Sequence, residues 1–244
     1  MTSSDLWDDE TARRYDESSA EMFAPEVLGP TVDLLADLAG DGRALELAVG
    51  TGRVAVPLAA RGVPVAGIEL SEPMVGRLRR KVDEATVPVV VGDMATTRVP
   101  GEFALVYLVF NTLGNLRTQA EQVACFRNAA RHLVTGGRFV IELGVPALRR
   151  FPPGQVAVPF DLSERHLGFD TYDVATQQGT SHHYWADADG SMRHGVHHFR
   201  YVWPAECDLM AQLAGLELER RVAGWDGAEV TSDSESHVSV WRMV

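Results

Sequence analysis

The strongest constraint on the fold is an alternation of short apolar segments with helix-patterned segments across the first 143 residues. The apolar segments, predicted to be strands, are residues 44–47, 64–70, 87–91, 103–110 and 138–143. The segments with helical spacing of apolar residues are 6–38, 53–61, 72–81 and 118–132. Parallel strands need crossover helices and are buried on both faces. The alternation therefore predicts an α/β fold with a doubly wound, mostly parallel sheet.

The pattern changes after the fifth predicted strand. Residues 151–203 are rich in His, Tyr, Phe and Asp, with short alternating runs that favour an antiparallel insertion. Helical spacing returns at 204–214, and two further strands are predicted at 216–222 and 237–242, which would make the sheet seven-stranded. The expected division is N-terminal helices and core in 1–150, a lid in 151–203, and closing elements of the core in 204–244.

Charge and composition exclude several classes of partner. The formal net charge of −12 repels phosphate backbones, so no nucleic-acid partner is expected. The longest apolar run, residues 103–110, is too short to span a bilayer, and residues 1–10 lack a signal-peptide pattern. These features predict a cytoplasmic protein with no membrane contact. The two cysteines, Cys125 and Cys207, form no CxxC motif, which argues against a disulfide framework or a cysteine metal site.

A glycine turn follows the first predicted strand, in the stretch Glu46-Leu-Ala48-Val-Gly50-Thr-Gly52. Glycines there let a ligand approach the backbone closely, and the helix that follows offers free N–H groups. Without further support, the turn could equally be a tight connection with packing glycines.

Acidic residues follow the next two strands. Glu69 ends the second predicted strand, where a carboxylate can accept hydrogen bonds from both ribose hydroxyls of a nucleotide. Gly92-Asp93-Met94 follows the third, where Asp93 can bond an adenine amino group while Met94 lies against the ring. Because ligands of open α/β sheets bind at the carboxyl ends of the strands, the three positions together predict one nucleotide site.

These motifs resemble those of the class I S-adenosylmethionine-dependent methyltransferases. Glu46, Gly50 and Gly52 match the first motif of that family, Glu-x-Gly-x-Gly-x-Gly, although Ala48 stands where a glycine is usual. Glu69 matches the acid after the second strand, and Gly92-Asp93 matches the pair after the third.

The resemblance implies a Rossmann-like sheet with an antiparallel seventh strand, S-adenosylmethionine as the cofactor, and a helix around Tyr15 that closes over it. It extends the expected cofactor site to Arg53, Leu70, Met74 and Val109. It also implies methyl transfer to a small-molecule or peptide acceptor, with an amine favoured, as in bacterial N-methyltransferases of specialised metabolism.

The acceptor site is predicted from two further segments. Asn111, at the exit of the fourth strand, can orient an amine or hydroxyl, although an Asx turn or a helix cap explains it equally well. Asp189-Gly190 is a hairpin signal. With those two residues as the loop, Ala188 would face Ser191. One face of the hairpin would then carry six residues, which are His182, Tyr184, His197, Phe199, Tyr201 and Trp203.

Asn111, His197 and Tyr201 are the candidate catalytic residues. The histidines of this hairpin leave three interpretations open, namely a metal site, a proton acceptor for the substrate, or packing in a lid; no metal ligand is assigned.

Two other functions remain as alternatives. One is an NAD(P)-dependent oxidoreductase, since Gly50, Gly52 and Ala55 loosely fit GxGxxG/A. The other is a protein that binds S-adenosylmethionine without catalysis. The sequence does not indicate the acceptor's identity or the oligomeric state.

Overall fold

The computed structural model describes residues 7–146, 148, 151–187 and 189–244. The helices are Asp9–Ser18 (α1), Pro25–Ala39 (α2), Ala55–Ala60 (α3), Glu72–Leu78 (α4), Gln119–His132 (α5) and Pro204–Leu213 (α6), with short 3-10 helices at Ala20–Phe23 and Thr112–Asn115. The strands are Ala44–Leu47 (β1), Val65–Glu69 (β2), Val89–Val91 (β3), Phe103–Leu108 (β4), Leu133–Gly144 (β5), Ala157–Leu162 (β6), His166–Asp173 (β7), Gln178–Ala186 (β8), Met192–Arg200 (β9), Leu216–Val222 (β10) and Ser236–Met243 (β11).

Seven strands form the main sheet, in the order β10-β11-β5-β4-β1-β2-β3. Strands β1 to β5 pair in parallel, whereas β11 pairs antiparallel with both β5 and β10. The predicted seven-stranded, mostly parallel sheet and its antiparallel last strand are therefore confirmed. The order reverses between β1 and β4, so the carboxyl ends of these two strands flank the crevice where ligands of open α/β sheets bind.

Helices cover both faces of this sheet. On one face, α5 and α6 enclose a core in which Phe126 packs edge-on against Phe139 and Trp241, with ring centroids 5.2 and 5.4 Å apart. On the other face, α2 and α3 bury Leu35 and Leu58. This double covering explains why β1 and β2 are buried along their whole length and consist almost entirely of apolar residues.

Most element boundaries differ from the prediction by only a few residues. Two differences are larger. The helical pattern expected over 6–38 is divided into α1 and α2 by the 3-10 helix Ala20–Phe23, and β5 begins at Leu133 rather than residue 138 and carries Gly136 and Gly137 within the strand. Helix α5 ends at His132 without a glycine stop, because the chain passes directly into extended backbone at Leu133. Residue 6, where the first helical pattern was expected to begin, and residues 149–150, beside the expected domain boundary, lie outside the described residues.

The predicted antiparallel insertion after β5 is confirmed as a separate four-stranded sheet, in the order β6-β7-β8-β9. We call this sheet the lid. Its strands pair only with one another in the described part of the chain.

The predicted register of the β8–β9 hairpin was wrong by one residue. His182 pairs with Val196 and Tyr184 with His194, instead of His182 with His197. The loop runs from Asp187 to Ser191, closed by the Asp187 N–H donating to the Ser191 carbonyl at 2.9 Å. The Asp189 carboxylate also accepts from the Ser191 N–H at 2.9 Å, which stabilises this longer loop. Ala188, which was expected to face Ser191, lies outside the described residues.

The shift exchanges the two faces of β8 relative to β9. His197 pairs with Ser181, so it shares a face with Ser181 and His183 rather than with His182 and Tyr184. Trp203 is not part of the hairpin face, because it follows β9 and immediately precedes helix α6.

Among the helices in the described ranges, none has both the length and the apolar character needed to cross a membrane.

Candidate active site

Two adjoining cavities lie at the carboxyl ends of the parallel strands. The larger has a volume of about 570 Å³ and extends from the glycine turn after β1 to the lid. The smaller reaches from the end of β2 to the end of β3. Both cavities are lined by five shared residues, which are Trp7, Ala48, Glu69, Thr112 and Asn115. The two cavities therefore form one continuous site.

The glycine turn supplies one wall of this site. Ala48 has a left-handed φ of 55° and Gly50 a φ of 56°, and both line the larger cavity. A Cβ added at Gly50 would meet nothing within 4 Å, so the backbone there is open to a ligand. Ala48 occupies the position usually held by glycine in a conformation that costs an L-residue roughly 1–2 kcal/mol.

Glu69 is held in place by the backbone around it. Its two carboxylate oxygens accept hydrogen bonds from the Gly50 and Ser71 N–H groups, each at 2.8 Å. Burial raises the pKa of Glu69, against the opposing effect of these backbone bonds. Each oxygen retains a second lone pair, so the carboxylate can also accept the two ribose hydroxyls of a nucleotide.

The smaller cavity has the features of an adenine site. Leu70, Gly92, Asp93 and Met94 line it, as predicted from the sequence. Asp93 uses Oδ1 to accept the Ala95 N–H at 2.7 Å, which leaves Oδ2 for an exocyclic amino group. Together with the open backbone at Gly50, this donor and acceptor set fits S-adenosylmethionine.

The N-terminal helix closes the site from above. Tyr15 and Trp7 both line the larger cavity and contact each other edge-on, with centroids 5.7 Å apart. The helix is fastened to the glycine turn by Asp16, which accepts from the Thr51 hydroxyl at 2.6 Å and pairs with Lys81 at 2.6 Å. Tyr15 is thus placed beside the cofactor site, and Met74 of α4 lines the same cavity.

Four residues assigned to the cofactor site from sequence do not line either cavity. Glu46 is buried below the turn and accepts the Tyr107 hydroxyl at 2.9 Å. Burial raises the pKa of Glu46 to about 8. Arg53 instead lies over the Phe110 ring, 5.4 Å from its centroid, and Val109 is buried in the core.

Gly52 is the fourth of these residues, and its surroundings differ from the sequence-based expectation. A Cβ added there would collide with Leu78 of α4 and approach Val56 Cγ2 to 2.9 Å. The close approach that requires glycine at position 52 is therefore to the core and not to a ligand.

One face of the lid completes the larger cavity. Seven residues of β7, β8 and β9 line it, which are Asp170, Tyr172, Ser181, His183, His197, Phe199 and Arg200. Of these, Asp170 accepts the Ser181 hydroxyl at 2.6 Å and the Tyr172 hydroxyl at 3.2 Å. This carboxylate is an acidic group on the lid side of the cavity.

The three candidate catalytic residues all line the larger cavity. His197 Nε2 lies 3.0 Å from Asn115 Oδ1, and burial, followed by the nearby His183, lowers its pKa to about 4. Asn111 has a left-handed φ of 59° and accepts the Gly144 N–H through Oδ1. Burial raises the pKa of Tyr201, whose ring packs edge-on against Tyr172 with centroids 5.5 Å apart.

Sequence reasoning missed several lining residues. Asp170 and Ser181 had no distinguishing pattern, because isolated polar residues are common in half-exposed strands. His183 alternates with His182 and Tyr184 along β8, so the wrong register placed it on the face opposite His197. Trp7 belongs to none of the cofactor motifs. Within the described part of the chain, no group of three or more His, Cys, Asp or Glu side chains is placed to hold a metal ion.

Comparisons with known proteins show the family of the chain. Residues 44–137 match the family described as "Methyltransferase domain". The cypemycin N-terminal methyltransferase of a Streptomyces species is 30% identical over 226 residues, covering 88% of this chain and 89% of that protein.

Two solved structures show the same architecture. The CcbJ methyltransferase from Streptomyces caelestis is 37% identical with a TM-score of 0.80, and the match covers 88% of each chain. An amino pentose methyltransferase from Micromonospora echinaspora, solved with S-adenosylmethionine bound, is similar in fold, with a TM-score of 0.70 at 24% identity, covering 89% of this chain and 91% of that one. The chain belongs to the class I S-adenosylmethionine-dependent methyltransferases.

Proposed function

We propose that this methyltransferase transfers the methyl group to an amine nitrogen of a small-molecule or peptide acceptor seated under the lid. The observation that carries the proposal is the continuity of the larger cavity, from Glu69 and Gly50 at the cofactor end to Asp170 and His197 at the lid end. An acceptor in the lid portion would therefore face the cofactor with no protein between them.

The names of related proteins support an amine as the group that accepts the methyl group. The cypemycin enzyme is described as an N-terminal methyltransferase. A Streptomyces venezuelae protein, 35% identical over 98 residues that cover 40% of each chain, is described as an N,N-dimethyltransferase of a dTDP-amino sugar. Both names describe transfer to nitrogen, one on a peptide and one on a sugar.

In this proposal the core binds the cofactor. S-adenosylmethionine, when bound, supplies a methyl group on a positively charged sulfur, so no further activation of the methyl donor is needed. Glu69 and Asp93 would hold the ribose and adenine, and the open backbone at Gly50 would lie against the ligand. Trp7 and Tyr15 would exclude water, because they cover the same cavity.

In the same proposal the lid binds the acceptor. The Asp170 carboxylate attracts a cationic amine, and the Phe199 ring offers an apolar wall. His197 is neutral at pH 7 because its pKa is about 4. Since Asn115 Oδ1 can only accept, His197 carries its proton on Nε2 and leaves Nδ1 as an acceptor. The amide nitrogen of Asn111 is left for the acceptor, because Oδ1 already accepts from Gly144.

The three segments expected from the sequence would then have different roles. Residues 1–150 and 204–244 would bind the cofactor and build the sheet, and residues 151–203 would select the acceptor.

The test is a methyl-transfer assay by mass spectrometry with matched pairs of acceptors. Each pair has the same sugar or peptide carrying either an amine or a hydroxyl at one position. We expect products only from the amine members, with the methyl group on nitrogen. Methylation of the hydroxyl members alone would refute the amine proposal. Binding of S-adenosylmethionine with no transfer to any member would favour the non-catalytic alternative.

A further inference from the structure

Three polar side chains of the lid form a hydrogen-bonded row from solvent to the acceptor cavity. Asp161 Oδ2 lies 2.6 Å from His166 Nδ1, and His166 Nε2 lies 2.9 Å from His183 Nδ1. The Asp161 carboxylate is at the exposed end, with 39% of its side chain accessible, and His183 lines the cavity at the other end. We call this row the lid relay.

The hydrogen bonds determine where each proton sits. A carboxylate only accepts, so His166 donates its Nδ1 proton to Asp161. Neutral His166 then has a lone pair on Nε2, and His183 must donate its Nδ1 proton to it. The tautomer of His183 that follows has an unprotonated Nε2. That nitrogen has no hydrogen-bond partner among the described residues, and the half-buried His183 lines the larger cavity.

Aromatic rings surround the two histidines of the lid relay. The rings of His166 and His183 are nearly parallel, with an interplanar angle of 7° and centroids 5.1 Å apart. Trp185 lies nearly parallel to both histidines, with centroids 5.3 and 5.2 Å away. Phe160 packs on the His183 ring, with centroids 5.2 Å apart. Fixed rings keep the two nitrogen atoms within hydrogen-bond distance, as proton transfer between them requires.

We propose that the lid relay removes the proton that makes the acceptor's amine unreactive, and we note that this rests on the proposed amine acceptor. An ammonium has no lone pair for the methyl group. The N–H bond of the ammonium breaks, and its proton forms a bond to His183 Nε2. The proton on His183 Nδ1 then passes to His166 Nε2, and the proton on His166 Nδ1 passes through Asp161 to water. One proton leaves the acceptor nitrogen and one reaches solvent.

The other titratable groups around His183 are compatible with this role. His182 on the same strand and His197 on β9 are near it, and Asp170 on β7 is the nearby carboxylate apart from Asp161. Burial, followed by the neighbouring His166, lowers the pKa of His183, so the imidazole is neutral and free to accept at pH 7. Asp170 would attract the ammonium towards the same part of the cavity.

The first test needs no acceptor and no cofactor. Long-range ¹⁵N–¹H spectra of histidine-labelled protein at pH 7.5 report which ring nitrogen carries the proton. We expect His183 and His166 to be protonated on Nδ1, and the His166 Nδ1 proton to lose its downfield shift in Asp161→Asn. A His183 protonated on Nε2 would overturn the proposal, because that nitrogen would have no lone pair to offer.

The second test is the pH dependence of methyl transfer to an amine that the wild-type protein methylates. His183→Gln should lower kcat by about tenfold or more near neutral pH, since a positioned base typically contributes about 10²–10⁴-fold. The deficit should shrink at high pH, where the acceptor is already a free amine. His166→Gln and Asp161→Asn, which act through His183, should show the same pH-dependent deficit with a smaller amplitude.

The matched control is Asp189→Asn, which removes an exposed lid carboxylate that bonds Ser191 and no histidine. It should retain the wild-type profile. If wild-type protein methylates amines and the three relay variants match its pH profile, the relay is refuted while the proposed function stands. If wild-type protein methylates only hydroxyl acceptors, the proposed function itself fails.

Discussion

Substitution by alanine at two glycines of the same turn should affect stability and cofactor affinity in different proportions. Gly50 and Gly52 both have positive φ angles, 56° and 82°, so alanine adds backbone strain of roughly 1–2 kcal/mol at either position. Their surroundings differ, because a Cβ at Gly50, which lines the larger cavity, meets nothing within 4 Å, whereas one at Gly52 collides with Leu78.

The different surroundings of the two glycines lead to different expected losses of stability. Gly52→Ala adds an overpacking cost of roughly 1–3 kcal/mol to the strain, for a total of roughly 2–5 kcal/mol. A chain of this length loses roughly 2–4 °C of Tm per kcal/mol, so Tm should fall by roughly 2–8 °C for Gly50→Ala. Because the same strain acts at both positions, the overpacking should lower the Tm of Gly52→Ala by roughly a further 2–12 °C. Cofactor affinity should show the reverse order, because only the alanine at position 50 occupies ligand space.

The assays are differential scanning calorimetry of both variants and titration calorimetry with S-adenosylhomocysteine at a temperature where both are folded. We expect Gly50→Ala to weaken binding by at least about tenfold and Gly52→Ala to remain within about fivefold of wild type. Equal Tm losses in the two variants, or wild-type affinity in Gly50→Ala, would refute the assignment of Gly50 to the ligand and Gly52 to the core.

Three other predictions follow from the same geometry. Glu69→Ala should weaken S-adenosylmethionine binding by roughly 10- to 150-fold, since a hydrogen bond to a charged group contributes about 1.5–3 kcal/mol; the exposed Glu72→Ala is the control in the same titration. His197→Ala and Tyr201→Ala should each lower kcat/KM by at least about tenfold while cofactor affinity stays within about twofold, and normal turnover by both would remove them from the acceptor site. Folded Glu46 keeps its proton up to a pKa of about 8, whereas its ordinary value is 4.5, so the unfolding free energy should fall as pH rises through this window. The slope is at most about 1.4 kcal/mol per pH unit, and Glu46→Gln should flatten it; an unchanged slope in thermal melts across this range would contradict the buried, protonated carboxyl.

The cavity lining proposed to hold the cofactor could be predicted from sequence because each of its signals is local. Glu69 ends one apolar strand and Asp93 lies two residues after the next, and parallel strands bring their carboxyl ends to one edge without further information. Even within this lining, the sequence does not show which glycine faces the ligand. Gly52 contacts α4, more than twenty residues further along the chain, and that contact exists only after the helix has packed.

The lid could be predicted as an antiparallel insertion but not in its register. Both faces of β8 carry aromatic and polar residues, so the usual signal of one apolar face is absent. Asp189 and Gly190 suit a two-residue turn, and only the hydrogen bond from the Asp187 N–H to Ser191 shows the longer loop. The true register differs from the predicted one by a single residue. This difference places His183, and with it the lid relay, on the cavity side of the lid.

The separation of the two sheets has a consequence for how acceptor preference can change. The lid shares no strand pairing with the main sheet in the described ranges, and it enters the chain between β5 and α6. Substitutions or length changes within it leave the backbone ladder around Glu69 and Gly50 intact. Under the proposed division of roles, chimaeras that exchange residues 157–200 for the corresponding sheet of a relative should change which acceptor is methylated while the main sheet keeps its own strand pairing.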